Sequence, residues 1–298
     1  MNDRSFSSST LTIVSVAALL VTAILTISPV LNIPDSIDTI GTLLAGFVFV
    51  LAHGAAALSW RNVVVFIVLT VAISFASEAV GVATGLVFGP YHYSDLLGPK
   101  ILGVPPMIQV GYLAVGYASM MTGRIILSLQ KQVTGWAILA AALAGAFIMV
   151  SWDVAMDPYQ STVTGDWIWH TGGPYFGVPL HNYAGWFGTV FVFMLAYFAF
   201  AARNAEKPSS EATAHPTFFW SMPVIFYALM AVGIIITPLV GGASLPYASP
   251  NNYSGSLPAL EGSLTLVGTF VMGSPVVFAL CRLLLPQATI RLSRSGDG

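Results

Sequence analysis

The chain is poor in charge: of its 298 residues, ten are Lys or Arg and twelve are Asp or Glu, 7% in all. A soluble domain carries about 25%, so these groups are too few to cover a water-soluble globule of 31.5 kDa. A single cysteine, Cys281, excludes an internal disulfide framework. A net charge of -2 with no basic run offers no track for phosphates and argues against nucleic acid as a partner. Nucleophile elbow, phosphate loop, dinucleotide fingerprint and His-Glu-x-x-His are all missing. What the chain has in quantity is apolar residues, 56% of the total, and a mean hydropathy of +0.82. The apolar runs are about 20 residues long, the length of a spanning helix, and do not alternate as barrel strands do. The expectation is an all-α, polytopic helix bundle of the cell membrane whose solvent is the lipid bilayer.

Eight spans can be read, near Thr10–Pro29, Ile37–Leu58, Val63–Val87, Val104–Leu129, Gly135–Trp152, Tyr183–Ala202, Phe218–Leu239 and Ser263–Leu285. With the N-terminus in the cytoplasm, Arg4, Arg61, Arg124, Lys131, Arg203, Lys207, Arg282, Arg291 and Arg294 fall on the inner side, and Lys100 falls outside. That asymmetry supports eight crossings with both termini cytoplasmic. The first span lacks a clear small-residue cleavage site and reads as a retained helix rather than a signal peptide. The whole of residues 1–298 reads as one integral membrane domain, with its motifs between about 75 and 190. One inner connection, Lys207 to Pro216, has the composition of a flexible linker. The outer connections Phe88–Gly103, Asp153–Asn182 and Val240–Gly262 are long and rich in Gly, Pro and aromatics. Gly89-Pro90-Tyr91 with Gly103-Val104-Pro105 is echoed by Gly173-Pro174-Tyr175 with Gly177-Val178-Pro179. The echo suggests two similar re-entrant or interfacial elements facing each other.

Ionisable groups inside spans are expensive and usually functional. Glu78 lies within the third span, about 14 Å of helix rise from its outer end, with no basic residue in reach of it along that span. An unpaired charge there costs several kcal/mol, so an un-ionised carboxylic acid is expected, which is what a general acid requires. The competing reading is a structural hydrogen bond to another helix. Gly81 and Gly85 follow on nearly the same face and read as sites of close packing. Asp153 and Asp157 close the fifth span at i and i+4. They would share a helical face, but Pro158 disfavours helical geometry at Asp157. They read as an acid/base pair with Glu78 or as a Mg²⁺-diphosphate site, and Asp157 alone as a turn residue before Pro158.

His92, His170 and His181 match no metal-binding spacing and read as interfacial hydrogen-bonders. His53 reads as structural, His215 as solvated, and Cys281 as a packing residue. Trp152, Trp167, Trp169, Tyr175, Phe176, Tyr183 and Trp186 crowd one region. An aromatic belt at the membrane interface explains some of them. The excess also suits a polyene or a cationic intermediate, each ring face stabilising positive charge by about 0.5–2 kcal/mol.

Two blocks carry a resemblance. The first runs from Ser77-Glu78-Ala79 through Gly85, then Phe88-Gly89-Pro90-Tyr91-His92-Tyr93, Leu97-Gly98-Pro99 and Gly103-Val104-Pro105. The second comprises Trp152-Asp153, Asp157-Pro158, Gly165-Asp166-Trp167-Ile168-Trp169, Tyr175-Phe176-Gly177-Val178-Pro179-Leu180, Asn182 and Gly185-Trp186. Together they resemble the carotenoid biosynthesis membrane proteins of the CruF type. Val87 stands where that family has Pro before the first Phe-Gly, and Gln109 and Tyr112 stand where it tends to have Pro and Trp. The resemblance implies a carotenoid 1,2-hydratase, a hydro-lyase that adds water to the terminal C1,C2 double bond of an acyclic (ψ) end group. It implies a lycopene-like, γ-carotene-like or C50 acyclic substrate, no redox cofactor, and other enzymes of the pathway as candidate partners; no residue is assigned to a metal. On this reading Glu78, Asp153 and Asp157 are catalytic. Tyr91, Tyr93, Trp152, Trp167, Trp169, Tyr175, Phe176, Asn182 and Trp186 are the candidate substrate contacts. The other functions left open are a membrane prenyltransferase resembling lycopene elongase, a transporter, and a non-catalytic protein of the carotenoid pathway.

Overall fold

The computed structural model describes residues 7–285 apart from 32, 34, 131, 132, 241–250 and 252. Its helices, in order, are α1 (Ser8–Thr26), α2 (Ser28–Leu31), α3 (Asp35–Leu58), α4 (Trp60–Thr84), α5 (Met107–Ile126), α6 (Trp136–Tyr159), α7 (Leu180–Arg203), α8 (Ser210–Ala214), α9 (Pro216–Val240), α10 (Leu257–Leu266) and α11 (Gly273–Leu284). Strand β1 (Tyr91–Tyr93) lies between α4 and α5, and β2 (Trp167–Trp169) between α6 and α7. A π-helical stretch, Val267–Met272, joins α10 to α11, so that Leu257–Leu284 makes one long apolar rod. Among the described residues seven helical segments are long and apolar enough to cross a membrane. The chain is thus a polytopic, all-α membrane bundle.

The remaining long helix, α5, occupies the middle. It packs against α3, α4, α6, α9 and α11, and Leu113 through Ile125 are all buried. Its 20 residues reach about 30 Å, enough for the hydrocarbon layer. A helix surrounded by protein need not be as greasy as one facing lipid, which explains why Gln109, Ser119, Thr122 and Arg124 are tolerated on it. The outer helices carry the exposed apolar surface instead, for example Val64 and Val68 on α4 and Phe278 on α11.

Each end of the bundle has its own chemistry. At one end Arg61, Arg124, Arg203 and Arg282 sit at the starts or ends of α4, α5, α7 and α11, with Lys207 in the connection that follows α7. Lys100, at the other end, is paired with Asp95 at 2.7 Å, and the ammonium beside it holds the Asp95 carboxyl below its ordinary range. Arg4, Lys131, Arg291 and Arg294 lie outside the described residues. The inner connection expected to be a flexible linker is instead docked. Ser209 N–H donates to Ala56 O at 2.7 Å, the Ser209 hydroxyl caps α8, and Ala212 is buried.

The first two outer connections meet as a two-stranded antiparallel ribbon, with Tyr91 opposite Trp169 and Tyr93 opposite Trp167. The expected re-entrant elements are therefore strands, because alternating aromatics suit a pleated surface with one buried face. Each connection then makes the same tight turn. Ile101 pairs with Val104 and Tyr175 with Val178. The central residues are left-handed in both: Leu102 (φ 50°) with Gly103 (φ 82°), and Phe176 (φ 52°) with Gly177 (φ 90°). Two successive positive φ values define a type I′ turn, and glycine is needed at the second position. Pro105-Pro106 and Pro179 then start α5 and α7. Eight residues beyond each turn's last residue stand Tyr112 and Trp186, stacked at 4.4 Å with planes 4° apart. The sequence echo thus corresponds to a structural one. The third outer connection lies largely outside the described residues, although Asn251 ties it to the ribbon by accepting from Trp169 N–H at 2.7 Å.

Pro158 does not end α6, contrary to the sequence expectation. The helix runs through it to Tyr159 and continues as a π-helical turn, Gln160–Thr164. Proline has no N–H for the carbonyl four residues back, here Val154 O. The Tyr175 hydroxyl donates to that oxygen at 3.2 Å and satisfies it. Tyr175→Phe should cost about 1 kcal/mol by leaving the half-buried carbonyl unpaired. A thermal-unfolding measurement in detergent will read this as a lowered midpoint, and an unchanged midpoint would remove Tyr175 from the account of why α6 survives its proline.

Candidate active site

Two helices bring carboxyl groups to one cavity. Glu78 lies six residues before the end of α4, about 9 Å of rise. This is closer to the end than the sequence suggested, because Gly85 (φ 70°) stops the helix early. Gly81 and Gly85 serve close packing, as their spacing in the sequence indicates. A Cβ at Gly81 would stand 2.7 Å from the Phe88 ring, and Gly85 abuts Pro90.

Glu78 is 2% exposed and surrounded by phenols. Tyr91 and Tyr93 both donate to Oε2, Tyr93 at 2.8 Å, and Tyr112 donates to Oε1 at 2.8 Å. Residues 91 and 93 alternate along β1, so both side chains leave the same face of the ribbon. Burial, followed by the neighbouring Glu78 carboxyl, pushes the Tyr91 and Tyr93 hydroxyls far above the ordinary phenol range. They remain O–H donors at any working pH. Tyr91 and Tyr93, expected as substrate contacts, therefore also hold an acid. Tyr112 was noted in the sequence only as a departure from the family pattern. Its i−3 neighbour Gln109 accepts a hydrogen bond from Ser74, one turn before Glu78 on α4.

Asp153 and Asp157 share a face of α6 because the helix passes Pro158. Asn182, in the first turn of α7, places its amide nitrogen 2.6 Å from Asp157 Oδ2 and 3.3 Å from Asp153 Oδ2. Trp167 Nε1–H donates to Asp157 Oδ1 at 2.7 Å. Asp153 is fully buried, and its Oδ1 has no hydrogen-bond partner among the described residues. The Tyr183 hydroxyl likewise has no partner among the described residues.

Glu78 and Asp157 both line a cavity of about 300 Å³. Tyr91, Tyr93, Trp152, Trp167, Trp169, Asn182 and Trp186 line it as well. Asp153 stands behind Asn182 rather than on the wall. Tyr175 and Phe176 also lie off the wall. Tyr175 bonds Val154 O, and burial pushes its hydroxyl up to about 12. Phe176 packs on Tyr253 at the turn. Asp166 reaches the cavity just beyond the end of the α6 span, and burial holds its carboxyl above the usual range. Away from the ribbon the cavity extends between α3, α5 and α9, where Leu43, Ala114, Phe226 and Met230 make it mostly apolar beside the Thr42 hydroxyl.

The other singled-out residues lie elsewhere. His92 and His170 contact each other at 2.8 Å on the exposed side of the ribbon, and His181 is exposed. His53 bonds Tyr117 Oη at 2.7 Å and Phe219 O at 3.1 Å inside the bundle, a structural arrangement. His215 is exposed. Cys281 is exposed on α11 rather than packed inside.

The fold is that of a polytopic membrane protein, and its cavity sets the buried acids Glu78 and Asp157 beside aromatic and apolar walls. A family of carotenoid biosynthesis proteins matches residues 39–247, and the chain belongs to that family. A bisanhydrobacterioruberin hydratase from Haloarcula japonica is 31% identical over 122 residues, covering 38% of this chain and 37% of that relative. No solved structure matches the chain.

Proposed function

We propose that the protein is a carotenoid hydratase, a hydro-lyase that adds water to the terminal C1,C2 double bond of an acyclic end group. The observation that supports this best is the cavity itself: aromatic, continuous with an apolar passage between α3, α5 and α9, and lined by Glu78 and Asp157. A polyene needs the apolar passage, and hydration of an alkene needs an acid and a base. The family, and the name of the Haloarcula relative, agree with this reading.

Addition in the Markovnikov sense begins with proton transfer to C2, which leaves a tertiary cation at C1. Glu78 suits the first step. Its Oε2 already accepts two phenols and Oε1 only one, which leaves Oε1 a position for the acidic hydrogen. Burial disfavours the charge before transfer, and three phenolic donors stabilise the carboxylate as it forms. Trp152, Trp167, Trp169 and Trp186 present rings to the cation. Water attacks C1 and gives its proton to Asp157, which Asn182 and Trp167 hold in place. Asp153 acts behind it by fixing the same amide. A proton then returns to Glu78, so acid and base are restored with one water consumed.

The test is to express the chain in a host that makes lycopene or γ-carotene and to separate the pigments chromatographically. The expected product has the substrate's mass plus one water. Asp157→Asn should reduce its rate about a hundredfold, the lower end of the general acid–base range, because water attacks a cation readily. No hydrated pigment from the unaltered chain, or full yield from Asp157→Asn, would sink this assignment.

A further inference from the structure

A second recess lies at the end of the bundle remote from the ribbon. It is formed by the one-residue turn between α3 and α4 and by the chain leaving α7, and has a volume of about 540 Å³. Arg61, Arg203 and Lys207 line it. Only six Lys or Arg lie among the described residues, so half of them meet here. None of the three has a carboxylate within ion-pair distance among the described residues; Lys100 and Arg124 do. The nearest acid in sequence, Glu206, is committed elsewhere. Its two oxygens meet Arg124 at 3.1 and 2.6 Å, and Tyr197 donates to it at 2.7 Å. The recess is therefore a concentration of uncompensated positive charge in a chain whose net charge is -2.

Two further features point to an anionic occupant that also offers a donor. The recess holds the N-terminus of α4, a 25-residue helix whose N-cap, Ser59, accepts no backbone N–H of the first turn with its side chain among the described residues. The positive end of the helix dipole thus adds to the three cations. Asn62, in that first turn, is 1% exposed and lines the recess. Its nitrogen is engaged by Leu58 O at 2.9 Å, with the Ser59 hydroxyl and the carbonyls of Asn204 and Ala205 further out. Its Oδ1 is buried with no hydrogen-bond partner among the described residues. An unpartnered buried carbonyl among cations suits a headgroup that carries both a phosphate and a hydroxyl.

The surroundings favour a lipid over a free ion. Trp60, at the rim, is 42% exposed, and Val64 and Val68 continue along the same helix at 50% and 58% exposure. Residues 60, 64 and 68 follow the i, i+4 row of one helix face. That row is an apolar track leading from the recess along the bundle's outer surface, with an interfacial tryptophan at its head. We propose that this recess binds the headgroup of an anionic phospholipid, the phosphate against Arg61, Arg203 and Lys207, a headgroup hydroxyl on Asn62 Oδ1, and an acyl chain along Val64 and Val68.

The experiment uses the full chain, purified in detergent and analysed by native mass spectrometry against phosphatidylglycerol, phosphatidylcholine and inorganic phosphate. Each cation at a membrane surface contributes about fivefold to binding, so the three together should favour phosphatidylglycerol over phosphatidylcholine on the order of a hundredfold. The combined variant Arg61→Gln, Arg203→Gln, Lys207→Gln should bind the two lipids alike. Arg203→Gln alone, a milder change should the combined variant fold poorly, should lose about fivefold. Lys100→Gln, at the opposite end, should keep the preference. Equal binding of both lipids by the unaltered chain, or a preference that survives loss of the cations, would overturn the proposal. So would inorganic phosphate binding as tightly as phosphatidylglycerol, because the recess would then be a site for a free anion.

Discussion

Glu78→Gln is expected to abolish hydration almost completely, with a fall of about three to four orders of magnitude, the upper end of what a positioned acid contributes. Glutamine keeps the size of the side chain and an oxygen for the phenols, but it has no acidic proton for C2. The Glu78→Gln protein should still fold, since the amide oxygen in the place of Oε2 keeps the bonds of Tyr91 and Tyr93, and the amide N–H in the place of Oε1 can donate to the Tyr112 oxygen. The decisive readout is therefore two measurements on one preparation. Pigment chromatography should show unhydrated carotenoid, and thermal unfolding should stay within about 1 kcal/mol of the unaltered protein. If Glu78→Gln makes the hydroxylated pigment at the normal rate, Glu78 is a structural hydrogen-bonding group and the proton comes from elsewhere.

The second large effect concerns stability. Arg124 and Glu206 form a bidentate pair with their side chains 1% and 4% exposed. Arg124 Nε also donates to Leu129 O at 3.0 Å, and the guanidinium lies 5.9 Å from the centre of the Phe198 ring. Glu206→Gln removes the counter-charge and leaves a buried guanidinium facing a neutral amide. Such single removals cost about 3–5 kcal/mol, enough to unfold a marginal protein. The double change Arg124→Met with Glu206→Leu should recover most of that loss, because a buried ion pair and an apolar pair of similar volume are often of comparable stability. Unfolding midpoints of the single and double variants check both statements, and a single variant as stable as the original would show that water reaches the pair.

Much of this architecture can be read from composition. Long apolar runs against so few charges define a membrane bundle, and Glu78, Asp153 and Asp157 stand out because each is costly where it lies. Asn182 and the tryptophans were legible through the motif they belong to. Tyr112 and Gln109 were not, since a tyrosine or glutamine in a spanning helix has many harmless explanations. The available signal was that both depart from the resembling family's pattern. Pro158 misled for a definite reason: a proline-broken helix is the local expectation, and its rescue depends on Tyr175, a contact made from 21 residues away. The linker-like composition around Ser209 misled in the same way, because the carbonyl of Ala56 that holds it belongs to α3. Local propensity carries no record of such distant partners.

The ribbon has a further consequence for how the two acids are kept in relation. Tyr91 and Tyr93 reach Glu78 from one strand, while Trp167 reaches Asp157 from the other. Six residues outside the spans thus act as a gauge between groups anchored on separate helices. A slip of one residue would turn every side chain of a strand to its opposite face, and both carboxyl groups would lose their alignment together. The spacing of the acids is therefore set by strand register as much as by how tightly α4 and α6 are held in the bilayer.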